Sequence, residues 1–198
     1  MRSAKNVVFI AIMGALGNVL SGLSIWLAPF IPTISLGPYS ISVALDLSHL
    51  TTFIAALYGG PTVGGLTGLI GGLIAANEFG FSKGNMVTGF AMPGGKALTG
   101  ITAGFIMHAL SLQGRNRRWL LLIASTLLSY IPEAIFTAFL FLSIFPFVFG
   151  TPAFILYPIV IAIIIKGTIE MFAEGMVLVV LCRNQSFTSS IGRFFTAS

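Results

Sequence analysis

The sequence contains very little charge. Only 8% of its 198 residues are Asp, Glu, Lys or Arg, whereas 56% are hydrophobic. Because about a quarter of an average soluble domain is charged, this composition excludes a soluble globular fold. The single cysteine, Cys182, cannot form an intrachain disulfide, and no Cys/His cluster has the spacing of metal ligands. The sequence therefore predicts neither a disulfide scaffold nor a metal or cofactor site.

Long apolar runs fill the chain and predict an all-α integral membrane protein. A bilayer span needs ~20 mostly apolar residues, and prolines, glycines and polar clusters divide the chain into a bundle of six transmembrane helices. We place these helices at about residues 6–28, 44–58, 61–77, 93–112, 119–143 and 154–182. No soluble domain fits in the remainder, so residues 1–198 are expected to form a single membrane domain.

Prolines and polar segments set several helix boundaries. Residues 29–42 are apolar but contain three prolines, which exclude a regular helix and predict a loop lying against the protein. Pro93 is expected in the first turn of the fourth helix, and Pro132 is expected to bend the fifth. The second and third helices are short for a span and should be shielded by the others. The tail 183–198 is polar enough to be solvated.

The positions of the cationic residues predict the orientation in the membrane. With the N-terminus inside, the cytoplasmic segments hold Arg2, Lys5, Arg115, Arg117, Arg118, Arg183 and Arg193. The outer loops hold only Lys83, with Lys96 just inside the fourth helix. This bias predicts that both termini are cytoplasmic. Because the charges lie in loops and not on a basic face with interleaved aromatic residues, the net charge of +5 does not indicate nucleic-acid binding.

Small residues recur every four positions on two predicted helices. The third helix carries the row Gly60, Gly64, Gly68 and Gly72. The fourth carries Lys96, Gly100, Gly104 and His108. Such rows let two helices approach closely in lipid, where packing drives their association. Both rows predict an internal helix–helix contact.

Six ionisable residues within the predicted spans are the main candidates for function. They are Asp46, Lys96, Glu133, Lys166, Glu170 and Glu174. Each costs ~2.5–3.5 kcal/mol or more at mid-bilayer when unpaired. At about 1.5 Å per residue, Lys166 lies near the midplane and Glu133 in the outer half of the membrane. A polar set from several helices is therefore expected to converge in the outer half of the bundle.

Each of these residues also has a structural interpretation. Lys166 and Glu170, four residues apart, can form an ion pair that neutralises itself. Glu174 is close enough to the cytoplasm to be a solvated or interfacial residue, and Asp46 and His49 favour a helix cap or loop contact over a metal or proton site. Glu133 has no charged neighbour in its own helix, which makes it the strongest candidate for a ligand contact or an interhelical partner of a lysine.

These features together resemble the substrate-binding S component of energy-coupling-factor (ECF) vitamin transporters. Such proteins have six helices, cytoplasmic termini and an Ala-x-x-x-Ala motif in the first helix, which Ala11 and Ala15 match here. Residues 29–42 resemble the lid formed by the family's first outer loop, and residues 77–90 resemble its third loop. The resemblance implies a prokaryotic multi-pass plasma-membrane protein that is not an enzyme.

The resemblance also implies a mechanism and partners. Such a subunit binds a small vitamin or vitamin precursor from outside with high affinity and delivers it inward. Ala11 and Ala15 would dock on a transmembrane coupling protein driven by two cytosolic ATPases, and this chain contains no GxxxxGK[ST] loop of its own. The candidate substrate-binding residues combine charge with outer aromatic side chains. They are Glu133, Lys166, Lys96, Glu170, Asn77, Tyr39 and Tyr157.

Two other classes of function are considered. A self-contained secondary transporter or channel is expected to show two related halves or helices broken at mid-span. An intramembrane enzyme needs a nucleophile setting of the GxSx type paired with a histidine, or an HExxH motif, and the sequence has neither. The identity of the substrate and the oligomeric state stay open at this stage.

Overall fold

The computed structural model describes residues 2–36, 39–42, 44–112 and 119–196. The chain begins with the long helix α1 (Arg2–Leu27), which ends in a 3₁₀ turn, Ala28–Phe30. Two short antiparallel strands, β1 (Thr33–Leu36) and β2 (Tyr39–Ser42), follow it. The predicted loop thus contains a hairpin. Pro29 and Pro32 precede the paired residues, so neither removes a ladder hydrogen bond.

Three short helices form the centre of the bundle. They are α2 (His49–Gly59), α3 (Pro61–Gly71) and α4 (Leu73–Phe79). Eight of the eleven residues of α2 are buried, which confirms that this short helix is shielded by the rest of the protein. Helices α3 and α4 cover the third predicted helix and are separated at Gly72, whose backbone amide donates hydrogen bonds to the carbonyls of Gly68 and Ile70.

Helix α5 (Met86–Ala109) starts earlier than the sequence predicted. The side chain of Asn85 accepts a 3.0 Å hydrogen bond from the backbone amide of Thr88 and so caps the helix. Pro93 is therefore buried inside the helix, and its assignment to the first turn was wrong. The Asn85 cap thus lets the helix begin well before Pro93. Because proline has no backbone N–H, one hydrogen bond inside the helix is not made.

The fifth predicted helix consists of several segments. They are α6 (Trp119–Ser129), α7 (Ile131–Phe139), a π-helical turn (Leu140–Ile144) and α8 (Phe145–Phe149). The break lies at Tyr130, directly before α7, and Pro132 in the first turn of α7 is where a bend was expected. The sequence analysis missed the π-helical turn.

The chain ends with two helices, α9 (Ala153–Arg183) and α10 (Gln185–Thr196). The prediction of a solvated tail was wrong. The Phe194 and Phe195 rings lie 5.7 and 4.9 Å from the ring of Phe9 on α1, and Ile191 is buried. These apolar residues share one face at helical spacing, and a short amphipathic helix buries that face against the bundle.

Three helical stretches in the described part of the chain are long and apolar enough to cross a membrane. They are Ala4–Phe30, Trp119–Phe149 and Ala153–Arg183. Most of their surface faces outward, because side chains on all three are exposed although they are apolar. Contact of such apolar surfaces with lipid chains carries no free-energy cost, whereas their exposure to water is unfavourable.

Helices α3 and α5 pack through the two predicted glycine rows, which confirms the internal helix contact. A methyl group added at Gly64 would lie 2.6 Å from the carbonyl oxygen of Gly100, and one at Gly72 would lie 2.8 Å from Cα of Pro93. Such distances are too short for any real side chain, so the backbones touch directly. This contact places the buried Lys96 of α5 beside the central helices.

Candidate ligand cavity

A cavity of about 620 Å³ lies among the helices. It is lined by the last turns of α1, the start of α2, the first half of α5, the α7 and α8 region and the first half of α9. Its volume falls within the range of small-molecule sites, roughly 300 to 1,000 Å³. Five carboxyl or ammonium groups reach it besides His49 and the phenol of Tyr130, namely Asp46, Lys96, Glu133, Lys166 and Glu170.

Asp46 and Lys96 form a partly buried ion pair on one wall. The Lys96 Nζ atom lies 3.1 Å from Oδ2 of Asp46 and also donates to the hydroxyl of Ser48. Asp46 lies in the connection before α2, outside the helices, and its Oδ1 accepts a 3.0 Å hydrogen bond from the Ser48 amide. These contacts stabilise the ionised form of the Asp46 carboxylate, which burial alone would disfavour.

Glu133 occupies a different wall and pairs with neither lysine that the sequence analysis suggested. Its Oε2 atom lies 3.2 Å from Nε2 of His49 and accepts a 2.5 Å hydrogen bond from the hydroxyl of Thr99. Helices α2, α5 and α7 thus meet at this carboxylate. Gly95 lies directly beside it, since a methyl group there would be 3.2 Å from Oε1 of Glu133.

Lys166 and Glu170 form the third polar group of the cavity. Nζ of Lys166 lies 3.6 Å from Oε1 of Glu170, so the predicted i, i+4 pair is present. The same oxygen accepts a 2.9 Å hydrogen bond from the amide of Asp46, which links α9 to the connection before α2. The Lys166 side chain is 32% exposed, compared with 5% for Lys96. Lys166 is therefore the more accessible of the two ammonium groups.

Aromatic and apolar side chains make up most of the remaining wall. Four phenylalanines line it, Phe79, Phe136, Phe141 and Phe145. The rings of Phe141 and Phe145 are stacked, with centroids 4.6 Å apart and planes 19° from parallel. Tyr130 also lines the cavity, and its hydroxyl lies so close to Gly167 that any side chain there would overlap it.

The structure brings four of the seven predicted substrate-binding residues to the cavity and leaves three elsewhere or undescribed. Lys96, Glu133, Lys166 and Glu170 line it. Asn77 and Tyr157 are exposed and do not contribute to the described lining. The side chain of Tyr39 lies outside the described residues, as do residues 113–118 with their three arginines.

Two cavity residues, Asp46 and His49, were not among the predicted substrate-binding residues. Asp46 does contact the backbone ahead of α2, as expected, but it and His49 also line the cavity. Asp46 and His49 lie three residues apart among apolar neighbours. This pattern could have indicated that they line the cavity, because a buried ionisable residue in a membrane bundle needs a partner. Asn85, which caps α5, also reaches the lining.

Glu174 lies behind the cavity, and its assignment to a solvated interface was wrong. It is 0% exposed, and neither carboxyl oxygen makes a hydrogen bond to any residue within the described ranges. The adjacent Gly175 explains this burial. It packs against Thr126 and Ile123 of α6, so this face of α9 points into the bundle although it lies in the C-terminal third of the helix.

The fold and the cavity define a helical membrane protein with an internal polar site. The family model for the ECF transporter substrate-specific component matches residues 5–181. The chain therefore belongs to the ECF transporter substrate-specific component family, which confirms the resemblance noted in the sequence. Proteins of this family are membrane-embedded substrate-binding subunits, not enzymes, and they work with a coupling component and ATPases.

A solved structure supports the same fold. The chain resembles the S component of a bacterial ECF transporter with a TM-score of 0.59 and 20% sequence identity, over 91% of this chain and 95% of that one. The comparison with curated proteins found no match.

Proposed function

We propose that this protein binds a small vitamin or vitamin precursor from outside the cell with high affinity and delivers it inward. The cavity of about 620 Å³ with its mixed lining carries this proposal. Carboxylates and ammonium groups next to a wall of phenylalanines suit a small heterocycle, which can be stacked and hydrogen-bonded at the same time.

The proposed orientation has six spans and two cytoplasmic termini in a prokaryotic plasma membrane. The distribution of Lys and Arg in the loops supports it. In this orientation the cavity lies in the outer half of the bundle. Ala28 and Ala44, which flank the hairpin on either side, both line the cavity, and this supports a lid role for the first outer loop.

The proposed partners are a transmembrane coupling protein and two cytosolic ATPases. Ala11 and Ala15 support this docking site, because both are exposed on α1. Gly14 and Gly17 lie on the other side of the same helix and pack against Ile70 and Thr51. One face of helix α1 thus packs against the bundle, and another face is exposed and can contact a partner protein or lipid.

Native mass spectrometry of the purified full chain tests the binding function. A high-affinity subunit is expected to retain its substrate through purification, so a non-lipid adduct of small-molecule mass should appear and should disappear on dialysis under denaturing conditions. If the protein carries no such adduct and binds none of a panel of vitamins and precursors in calorimetric titrations, the proposal fails.

A further inference from the structure

We infer that the cavity selects a ligand with a positively charged nitrogen group, which the Glu133 carboxylate binds, on a flat apolar body. The inference rests on the proposed function and deepens it by naming the chemical class of the substrate. Three observations carry it, namely the pairing of the charges, the position of His49 and the surroundings of Glu133.

The charges of the cavity do not balance. Three carboxylates face two ammonium groups. Lys96 lies 3.1 Å from Asp46, and Lys166 lies 3.6 Å from Glu170. Within the described part of the chain, Glu133 is left without an ammonium at salt-bridge distance, and its hydrogen bonds come from Thr99 and His49.

His49 contacts one of the two carboxylate oxygens of Glu133. Its Nε2 atom faces Oε2 of Glu133 at 3.2 Å, whereas Nδ1 is buried and makes no hydrogen bond to any described residue. The hydroxyl of Thr99 donates to that same oxygen, and neither contact involves Oε1 of Glu133.

A carboxylate that no ammonium group contacts is costly inside a membrane bundle, and a cationic ligand relieves that cost. Glu133 is accessible for this purpose, because 15% of its side chain remains exposed. Both of its described hydrogen bonds end on Oε2. Gly95 carries no side chain that could cover Oε1. This oxygen is thus the place where a ligand N–H group can donate a charge-assisted hydrogen bond.

The rest of the lining fits the body of such a ligand. Phe136 lies one turn from Glu133 on α7, and the stacked pair Phe141 and Phe145 continues the same wall. Aromatic faces attract cationic groups and stack on flat heterocycles. A protonated amidine, amine or nitrogen heterocycle placed against Glu133 would therefore have its ring among these side chains.

Three probes of nearly equal shape test the charge preference directly. Benzamidinium, benzamide and benzoate share one ring and differ in charge by one unit at each step. Titrations of the purified full chain, followed by ligand-observed NMR, should give at least tenfold tighter binding of benzamidinium than of benzoate, with benzamide between them. Equal or tighter binding of benzamide or benzoate would overturn the inference.

A matched pair of variants assigns the preference to Glu133. Glu133→Gln keeps the size of the side chain and removes its charge, so the affinity for benzamidinium should fall at least tenfold while that for benzamide changes less than about threefold. Glu78→Gln makes the same chemical change outside the cavity and should leave all three affinities unchanged. If Glu133→Gln still binds benzamidinium more tightly than benzoate by the same factor, Glu133 is not the group that selects the cation. If that variant does not fold, the probe ranking on the unmodified protein decides.

The outcome also separates this inference from the proposed function. A protein that retains or binds a neutral or anionic vitamin but discriminates against benzamidinium would refute the cationic class and leave the transport role intact. A protein that binds none of the three probes and carries no adduct in native mass spectrometry would refute both.

Discussion

At the residue scale, the few intramembrane charges account for most of the polar chemistry of this protein. Residue type and depth identified these groups as candidates for function, because any ionisable group in a predicted span needs a partner, but they placed the fully buried Glu174 wrongly at a solvated interface. They did not predict the partners. Lys96 pairs with Asp46, and Glu133 with His49 and Thr99, because residues far apart in sequence are brought together only when the helices pack.

Glu174 offers a test of how the bundle tolerates a buried acid. Its two oxygens make no hydrogen bond to described residues, and its side chain is fully buried. Glu174→Met keeps a similar volume and removes the unsatisfied polar group, which costs about 1–3 kcal/mol in mutational data. We expect a higher melting temperature in detergent, measured by scanning fluorimetry.

A matched change separates burial from loss of charge. Glu78→Met, in a more exposed position, should leave the melting temperature of the protein within a degree or two. A lower melting temperature for Glu174→Met would mean that the carboxyl has a stabilising partner, and it would contradict the assignment of Glu174 as an unsatisfied group.

At the element scale, hydrophobic runs and helix breakers located the helices but not all of their ends. The second and third predicted helices were recognised in spite of their length, because Gly59, Gly60 and Pro61 mark a turn between them. The start of α5 was placed too late because Pro93 is typical of a first turn, whereas the cap by Asn85 depends on one local hydrogen bond. The helical tail was missed because its polar composition outweighed the spacing of its phenylalanines.

The contact between α3 and α5 depends on the absence of side chains in both glycine rows. Gly64→Ala would place a methyl group 2.6 Å from the carbonyl oxygen of Gly100, a backbone atom that cannot move aside without shifting the helix. Overpacking of this kind costs about 1–3 kcal/mol. We expect a lower melting temperature and a weaker ligand affinity, because Lys96 belongs to the same stretch of α5.

Gly94→Ala is the matched control for this contact. Gly94 lies on the same helix as Gly100, but an added methyl group there meets nothing within 4 Å. Its substitution should maintain or slightly raise the melting temperature, since alanine favours a helix by roughly 1 kcal/mol over glycine. If Gly64→Ala and Gly94→Ala have the same melting temperature, close packing at the glycine row does not determine the stability of the protein.

At the scale of the whole molecule, the proposed docking face of α1 lies apart from the ligand cavity. Ala15 is exposed on α1, away from the cavity lining. Ala15→Trp should therefore abolish co-purification with the coupling protein and its ATPases, because a large side chain prevents close helix approach. The isolated variant should still bind ligand as the unmodified protein does in calorimetric titrations.

Leu120→Trp provides the comparison for this surface. Leu120 is 61% exposed on α6, so the variant adds the same bulky side chain to a different lipid-facing helix. It should preserve both ligand binding and co-purification. Loss of both properties in Ala15→Trp would indicate misfolding and remove the docking argument, and undisturbed co-purification would exclude α1 as the docking face.

The sequence by itself determined that this chain is a helical membrane protein, because hydrophobic length and charge content depend on composition along the chain and not on folding. It also identified the glycine rows and the buried charges as features that need partners. Only the tertiary structure decided which groups meet. Three carboxylates and two ammonium groups from α5, α7, α9 and the connection before α2 converge on one cavity. Glu133 is the carboxylate left there without an ammonium at salt-bridge distance among the described residues. Charge pairing depends on distances of a few ångströms between helices, which helix packing sets and hydropathy along a single chain does not encode.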